Sequence, residues 1–287
     1  MAMTDAAPLV PRDAATVMLV RDGQTGLEVC MLRRNLNSDF VGGAYVFPGG
    51  AVDPADSGPA VEAVCAGRTD ADASSQLGIE RGGLAFWVAA VRECFEEAGV
   101  LLAIDQNDAV VSLADEETAE RFALWRHRVD HGETGLVQVC AAERLRIMAA
   151  DIYYFAHWIT PVGPSRRYDT RFFVAAAPPE QRPVHDDRET IATIWVNPAE
   201  ALRRQQNHEM ELIFPTIRNL EAISRFDTAG DLLAAAAAID EVVTILPKVV
   251  SDASGMRILL PGDPGYDEIV DGKGEGGTPV DPREIAR

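Results

Sequence analysis

Leu84-Ala-Phe-Trp-Val-Ala-Ala-Val-Arg92-Glu93-Cys94-Phe95-Glu96-Glu97-Ala98-Gly99-Val100 is the stretch on which the reading of this chain turns. At about 100° per residue, Leu84, Val88, Val91, Phe95 and Ala98 share one helical stripe. Gly99 stands where a helix needs a left-handed C′ residue, so the segment predicts a helix over 84–98. Glu93, Glu96 and Glu97 follow the i, i+3, i+4 spacing and cluster away from the apolar stripe. Such like-charge neighbours cost a helix a few tenths of a kcal/mol per pair. A hard divalent cation, which needs several carboxylate oxygens on a rigid support, would offset that cost. An amphipathic surface helix with glutamates on its wet face is the plainer alternative.

Working outward, residues 14–21 and 27–33 are β-rich runs joined by Asp22-Gly-Gln-Thr-Gly26, which reads as a hairpin. A Gly-rich passage follows, Phe40-Val-Gly-Gly-Ala-Tyr-Val-Phe-Pro-Gly-Gly50. Residues 53–83 are rich in Pro, Asp, Gly, Ala and Ser and read as a long loop. Residues 112–130, with Ser112 as cap, and 135–147 read as helices. Strands are expected at 152–159, 171–177 and 190–196. Helices are expected at 198–206, with Pro198 at N1, at 216–226 and at 229–239. Weaker strands fall at 242–250 and 256–260. The order of strands and helices favours an α+β sandwich with a mixed sheet over a doubly wound parallel sheet.

Composition narrows the class. The 287 residues are 47% hydrophobic and 25% charged, ordinary for a globular chain. Cys30, Cys65, Cys94 and Cys140 are scattered without a C-x-x-C pair, which argues against a disulfide framework and a zinc cage. A formal net charge of −19 repels nucleic acid backbones, so no nucleic acid partner is expected. Neither a secretory signal nor a membrane-spanning run is evident, and a cytoplasmic location is expected.

Two motifs together carry a resemblance. Phe47-Pro48-Gly49-Gly50 and Arg92-Glu93-Cys94-Phe95-Glu96-Glu97-Ala98-Gly99-Val100 resemble the two halves of the Nudix signature, with Cys94 in an aliphatic slot. The signature's first glutamate, counted from Gly50, falls on Asp56, and residues 57–91 replace its short spacer. Either Asp56 keeps that glutamate's pairing with Arg92, or the role is vacant. The insertion, about 57–83, either covers the site or extends the pocket. With Arg33-Arg34, Trp158-Ile-Thr-Pro161 and Arg166-Arg-Tyr-Asp-Thr-Arg-Phe-Phe173, the chain resembles the branch that includes peroxisomal coenzyme A diphosphatases. The ending Ile285-Ala-Arg287 is not a peroxisomal address.

The resemblance implies a Nudix-type α/β/α sandwich over 12–206, with a C-terminal helical extension over 207–268, of which residues 207–250 pack on the core, close the pocket or build a dimer interface. The tail over 269–287 reads as disordered from its Gly- and charge-rich composition. It implies a pyrophosphohydrolase using Mg²⁺ or Mn²⁺ held by Glu93, Glu96, Glu97 and the Gly50 carbonyl. In that scheme Arg92 locks a ligand carboxylate. The general base is Glu189, or Glu96 or Glu97 acting through bound water. Asp186 and Asp187 read as a solvated turn, and His185 as a loop residue. Phosphate contacts are assigned to Arg34 and Arg167 first, then to Arg33 and Arg166, since planar guanidinium groups suit them. Adjacent strand residues point oppositely, so only one of Arg33 and Arg34 faces a given site. Trp158, Tyr168 and Phe172 are candidates for base stacking or for core. The expected substrate is a small nucleotide, coenzyme A or its acyl esters first. Another nucleoside diphosphate derivative (NADH, ADP-ribose, a nucleotide sugar, a damaged triphosphate) and a non-catalytic binding module are the alternatives. A homodimer is the family-level expectation.

Overall fold

The computed structural model describes residues 9–37, 41–252 and 255–269. All but the first residue of the tail read as disordered, and Phe40 of the Gly-rich passage, lie outside them.

The chain opens with a hairpin, β1 (Arg12–Gly23) and β2 (Gly26–Arg34), turned at Gly26 with φ +113°. Two short strands follow, β3 (Tyr45–Val46) and β4 (Gly49–Ala51). After α1 (Asp70–Leu77) and α2 (Leu84–Ala98), β5 (Ala103–Ile104) pairs across α3 (Glu116–Asp130) and α4 (Leu136–Glu143) with β6 (Arg146–Ile147). Then come β7 (Ile152–Ile159), β8 (Tyr168–Ala176), β9 (Thr190–Val196) and α5 (Pro198–Gln206). The C-terminal part holds α6 (Phe214–Ile223), α7 (Ala229–Ala237), β10 (Thr244–Ile245), and the hairpin β11 (Lys248–Asp252) and β12 (Gly255–Leu259).

The main sheet runs β10-β7-β8-β1-β2-β3, with β4 also on β1 and β9 also on β2. It is mixed: β1 pairs parallel with β8 and antiparallel with β2 and β4. Strand alternation divides its side chains between two cores. Val17, Leu19, Cys30, Leu32 and Phe173 pack toward α2. Met18, Val20, Val29, Met31 and Val174 pack on the other face, against α6 and α7. Both faces are covered, so β1 reads as a nearly continuous apolar run. The arrangement is the expected α+β sandwich.

Several boundaries differ from the sequence reading, each for a local reason. The insertion is not all loop. Thr69 caps α1 by accepting from the Asp72 N–H at 3.1 Å, and Asp72 returns a bond to the Thr69 N–H. Asp70 then accepts from the N–H groups of Gly82 (2.9 Å) and Leu84 (3.0 Å), at the uncapped start of α2. Gly83 lies so close to α1 that a Cβ there would meet the Ser74 nitrogen at 2.3 Å. The cap of α3 is Asp115, accepting from Thr118 at 2.8 Å, rather than Ser112. Residues 135–147 split into α4 and β6 because Arg144 turns left-handed at φ +55°. Helix α6 starts at Phe214, with Pro215 in its first turn, rather than at Thr216.

All four cysteines are free and buried. Burial pushes the thiols of Cys30, Cys65 and Cys140 up to about 12, and it raises that of Cys94 well above the ordinary thiol range. Since the thiolate is the reactive form, none should react with a thiol reagent at mildly alkaline pH while the protein is folded. All four should react in denaturant. Mass spectrometry of the labelled protein counts them, and rapid native labelling of any one would contradict this packing.

Candidate active site

The site begins with close backbone packing. Strand β4 lies antiparallel to residues 14–16 of β1. A Cβ on Gly49 would meet Thr16 Oγ1 at 2.3 Å, and one on Gly50 would meet Glu93 Oε1 at 2.4 Å. Only glycine lets this strand approach both β1 and the carboxylates of α2. Gly49 donates its N–H to Glu97 Oε2 at 2.9 Å.

Arg92 is buried beside them and spends its fork of donors on three elements. Nε and Nη2 form a bidentate pair with Asp56, at 2.9 and 3.0 Å. Nη2 also reaches the Ala51 carbonyl at 2.7 Å, and Nη1 reaches Glu93 Oε1 at 2.9 Å and Glu96 Oε2 at 3.0 Å. Asp56 is 1% exposed, and its second oxygen accepts from the Asp53 N–H. The pairing left open in the sequence is therefore made by Asp56. Helix α2 has no wet face, because Trp87, Arg92, Cys94 and Glu97 are buried along with its apolar stripe. The alternative of a surface helix is excluded by this burial.

Burial sets the electrostatics. It raises Glu93 and Glu96 to about 7 although Arg92 pulls both down, and it raises Glu97 well above the ordinary carboxylate range, with Glu93 adding to the rise. The arginine engages only one oxygen of Glu93 and one of Glu96, and Gly49 engages only one of Glu97. Glu93 Oε2, Glu96 Oε1 and Glu97 Oε1 thus have no hydrogen-bond donor among the described residues. Side chains this arranged do not form one converged ligand cluster among the described residues. The donor set nevertheless fits a hard cation: three desolvated carboxylates, each with an oxygen to spare.

These acids line one end of a cavity of about 490 Å³, together with Glu189 and Asp130. Glu189 follows a turn wrapped on Asp186, whose carboxylate accepts from the N–H groups of Arg188 (3.2 Å), Glu189 (3.2 Å) and Thr190 (2.8 Å). Asp186 is thus the organiser of this loop rather than a solvated residue. His185 Nε2 lies 3.1 Å from Asp187 Oδ1 on the outside of this loop, and neither residue lines the cavity. Trp158, Tyr168 and Phe172 do line it, alongside Phe47 and Phe214.

The arginines separate. Arg34 and Arg166 line the cavity. Arg33 turns away, donating to the Gly43 carbonyl at 3.2 Å, as strand alternation requires if Arg34 faces inward. Arg167, preferred from the sequence, instead braces backbone: it donates to the carbonyls of Thr160 (3.0 Å), Pro161 (3.1 Å) and Leu9 (2.6 Å). Arg171 pairs with Asp169 and Asp13 away from the cavity. One contributor escaped the sequence reading. Arg126 of α3 donates to the carbonyls of Glu96 and Glu97, both at 2.9 Å, and so holds the last turn of the acidic helix. Residues 213–216 and Pro247, within the 207–250 segment for which closing the pocket is one reading, also wall the cavity.

Removing Asp56 would leave a buried, unpaired guanidinium. Asp56→Ala is expected to cost about 3–5 kcal/mol of stability in urea unfolding. A loss under 1 kcal/mol, roughly the worth of a surface pair, would mean that Arg92 does not depend on this partner.

Comparison with known proteins identifies the family. Residues 68–223 match the family described as the NUDT19 Nudix domain. A chicken (Gallus gallus) protein named acyl-coenzyme A diphosphatase NUDT19 is 31% identical over 314 residues, covering 92% of this chain and 82% of its own. The human (Homo sapiens) protein of the same name is 29% identical over 278 residues, covering 86% of this chain and 74% of its own. The crystal structure of a Nudix hydrolase from Alicyclobacillus acidocaldarius has a TM-score of 0.62 and 27% identity, covering 79% of this chain and 97% of that one.

Proposed function

The chain belongs to the Nudix hydrolases of the NUDT19 type, and from that premise we propose that it cleaves the diphosphate of coenzyme A or its acyl esters. The observation that carries the reading is the set of desolvated carboxylates on α2, each with a spare oxygen, at one end of a cavity that also presents Arg34 and Arg166. An anionic diphosphate would be repelled by such an end unless a cation stood between them. The named activity of the chicken and human relatives selects the substrate.

In this reading Glu93, Glu96, Glu97 and the Gly50 carbonyl hold Mg²⁺ or Mn²⁺. The ion supplies charge neutralisation on the phosphates and a more acidic water. Arg92 keeps Glu93 and Glu96 in place through its grip on Asp56. Arg34 and Arg166 hold phosphate oxygens. Glu189, held by the Asp186 turn, takes the proton of the attacking water. Water adds to phosphorus, one P–O anhydride bond breaks, and the products are adenosine 3′,5′-bisphosphate and the phosphopantetheine half.

Mass spectrometry of products from coenzyme A, an acyl ester, NADH, ADP-ribose and nucleoside triphosphates, with Mg²⁺ or Mn²⁺, tests this. Coenzyme A or the ester should be cleaved best, and a chelator should abolish turnover. Glu96→Gln should lower kcat on the order of a hundredfold or more. Turnover of the other nucleotides with none of coenzyme A would sink the substrate assignment. Glu189→Gln discriminates the base: a loss of about 100-fold or more assigns the proton transfer to Glu189, and near-normal turnover moves it to α2.

A further inference from the structure

Residues 213–216 are four consecutive residues, and all four line the cavity. A helix meeting a cavity side-on presents positions three and four apart. Four in a row, from the N-cap Ile213 through Thr216, mean that α6 meets the cavity end-on, with its N-terminus. That end is bare of side-chain caps: Ile213 offers no acceptor, and Pro215 has no N–H. The N–H groups of Phe214 and Thr216 belong to the first turn and have no intrahelical acceptor, nor any other backbone acceptor among the described residues.

A second observation is independent of the helix end. Thr216 is only 3% exposed, it lines the cavity, and its hydroxyl has no hydrogen-bond partner among the described residues. The hydroxyl is open to the cavity on an otherwise buried side chain, so a group bound in the cavity is the partner within its reach. Here it stands beside the free N–H groups and the positive end of a helix dipole. Hydroxyl, amides and dipole together suit an anion with several acceptor oxygens, as a phosphate has.

We propose that the N-terminus of α6, with the Thr216 hydroxyl, is a phosphate subsite distinct from the carboxylate end. The two lie in opposite layers of the sandwich: α2 packs in one core and α6 in the other. The diphosphate to be cleaved belongs at the carboxylates, so the second subsite takes a phosphate monoester elsewhere on the same molecule. Resting on the substrate proposed above, that group is the 3′-phosphate on the ribose of coenzyme A. The subsite would make the enzyme discriminate coenzyme A from its 3′-dephospho form, and it would give the C-terminal part of the chain a direct role in specificity.

The test compares kcat/KM for coenzyme A and 3′-dephospho-coenzyme A in the wild type, Thr216→Val and Thr216→Ser. Wild type should favour coenzyme A by about tenfold or more. Thr216→Val, which keeps the shape and removes the hydroxyl, should shrink that ratio by about tenfold, mainly through KM, as loss of a hydrogen bond to a charged group does. Thr216→Ser should restore it. A wild-type ratio near one, or the same ratio in Thr216→Val, overturns the subsite. Calorimetric binding of adenosine 3′,5′-bisphosphate against AMP needs no turnover. If neither coenzyme substrate is cleaved, the proposed function fails. The subsite is then judged by whether the bisphosphate binds more tightly than AMP to wild type and loses that advantage in Thr216→Val; equal binding overturns it.

Discussion

The buried guanidinium of Arg92 is the constraint around which the site is organised. One planar group joins the segment before the insertion through Asp56, the edge strand β4 through the Ala51 carbonyl, and two acids of its own helix. A buried ion pair is weak evidence for stability, because desolvation consumes most of the Coulomb gain. Its geometric consequence is stronger. The donors of a guanidinium are fixed in one plane, so Asp56, β4 and α2 hold one mutual arrangement or the group is left short of partners. Replacing a glutamate by the shorter Asp56 is tolerated because the short 3₁₀ turn of Pro54–Asp56 brings its carboxylate to the arginine.

That arrangement explains how a long insertion can interrupt the site without dissolving it. The chain leaves after Asp56 and returns at Leu84, and α1 repairs the point of return. Asp70 accepts from Gly82 and Leu84 at the start of α2, an end that has no side-chain cap of its own. The acidic helix is thereby held at both ends by inserted or peripheral elements: Asp70 at its start, and Arg126 on the Glu96 and Glu97 carbonyls at its finish. Fixing both ends limits how far three repelling carboxylates can move apart.

What could be read from the sequence follows the range of the forces involved. Helix α2, strand β9 and helix α5 were legible to the residue, because periodicity, Gly99 and Pro198 act locally. The contact between Asp56 and Arg92 was legible as one of two alternatives, because signature spacing named the pair but not the path between them. Helix α1 was not legible: Asp70-Ala-Asp-Ala-Ser-Ser has the composition of a loop, and its docking depends on Gly83 and on caps made to the next helix. The arginines were half legible. Alternation established that Arg33 and Arg34 oppose each other but not which faces inward. Arg167 was misread because its partners, backbone carbonyls of Leu9, Thr160 and Pro161, carry no side-chain signature.

The two cores of the sheet give the cavity its asymmetry. Strands β1, β2 and β8 send alternate side chains to α2 and to α6 with α7, so a cavity touching both layers inherits different chemistry from each. From the α2 layer come desolvated carboxylates that repel anions unless a cation intervenes. From the α6 layer come Phe214, Pro215 and a bare helix end, with Trp158 set edge-on to Phe214 at 5.8 Å between ring centroids. An apolar, low-dielectric wall strengthens any hydrogen bond made within it. In a chain of net charge −19, attraction for an anionic ligand must come from local donors rather than the overall field. The α6 layer supplies donors directly through its bare N–H groups, whereas the α2 layer attracts an anion only through a cation held on its carboxylates.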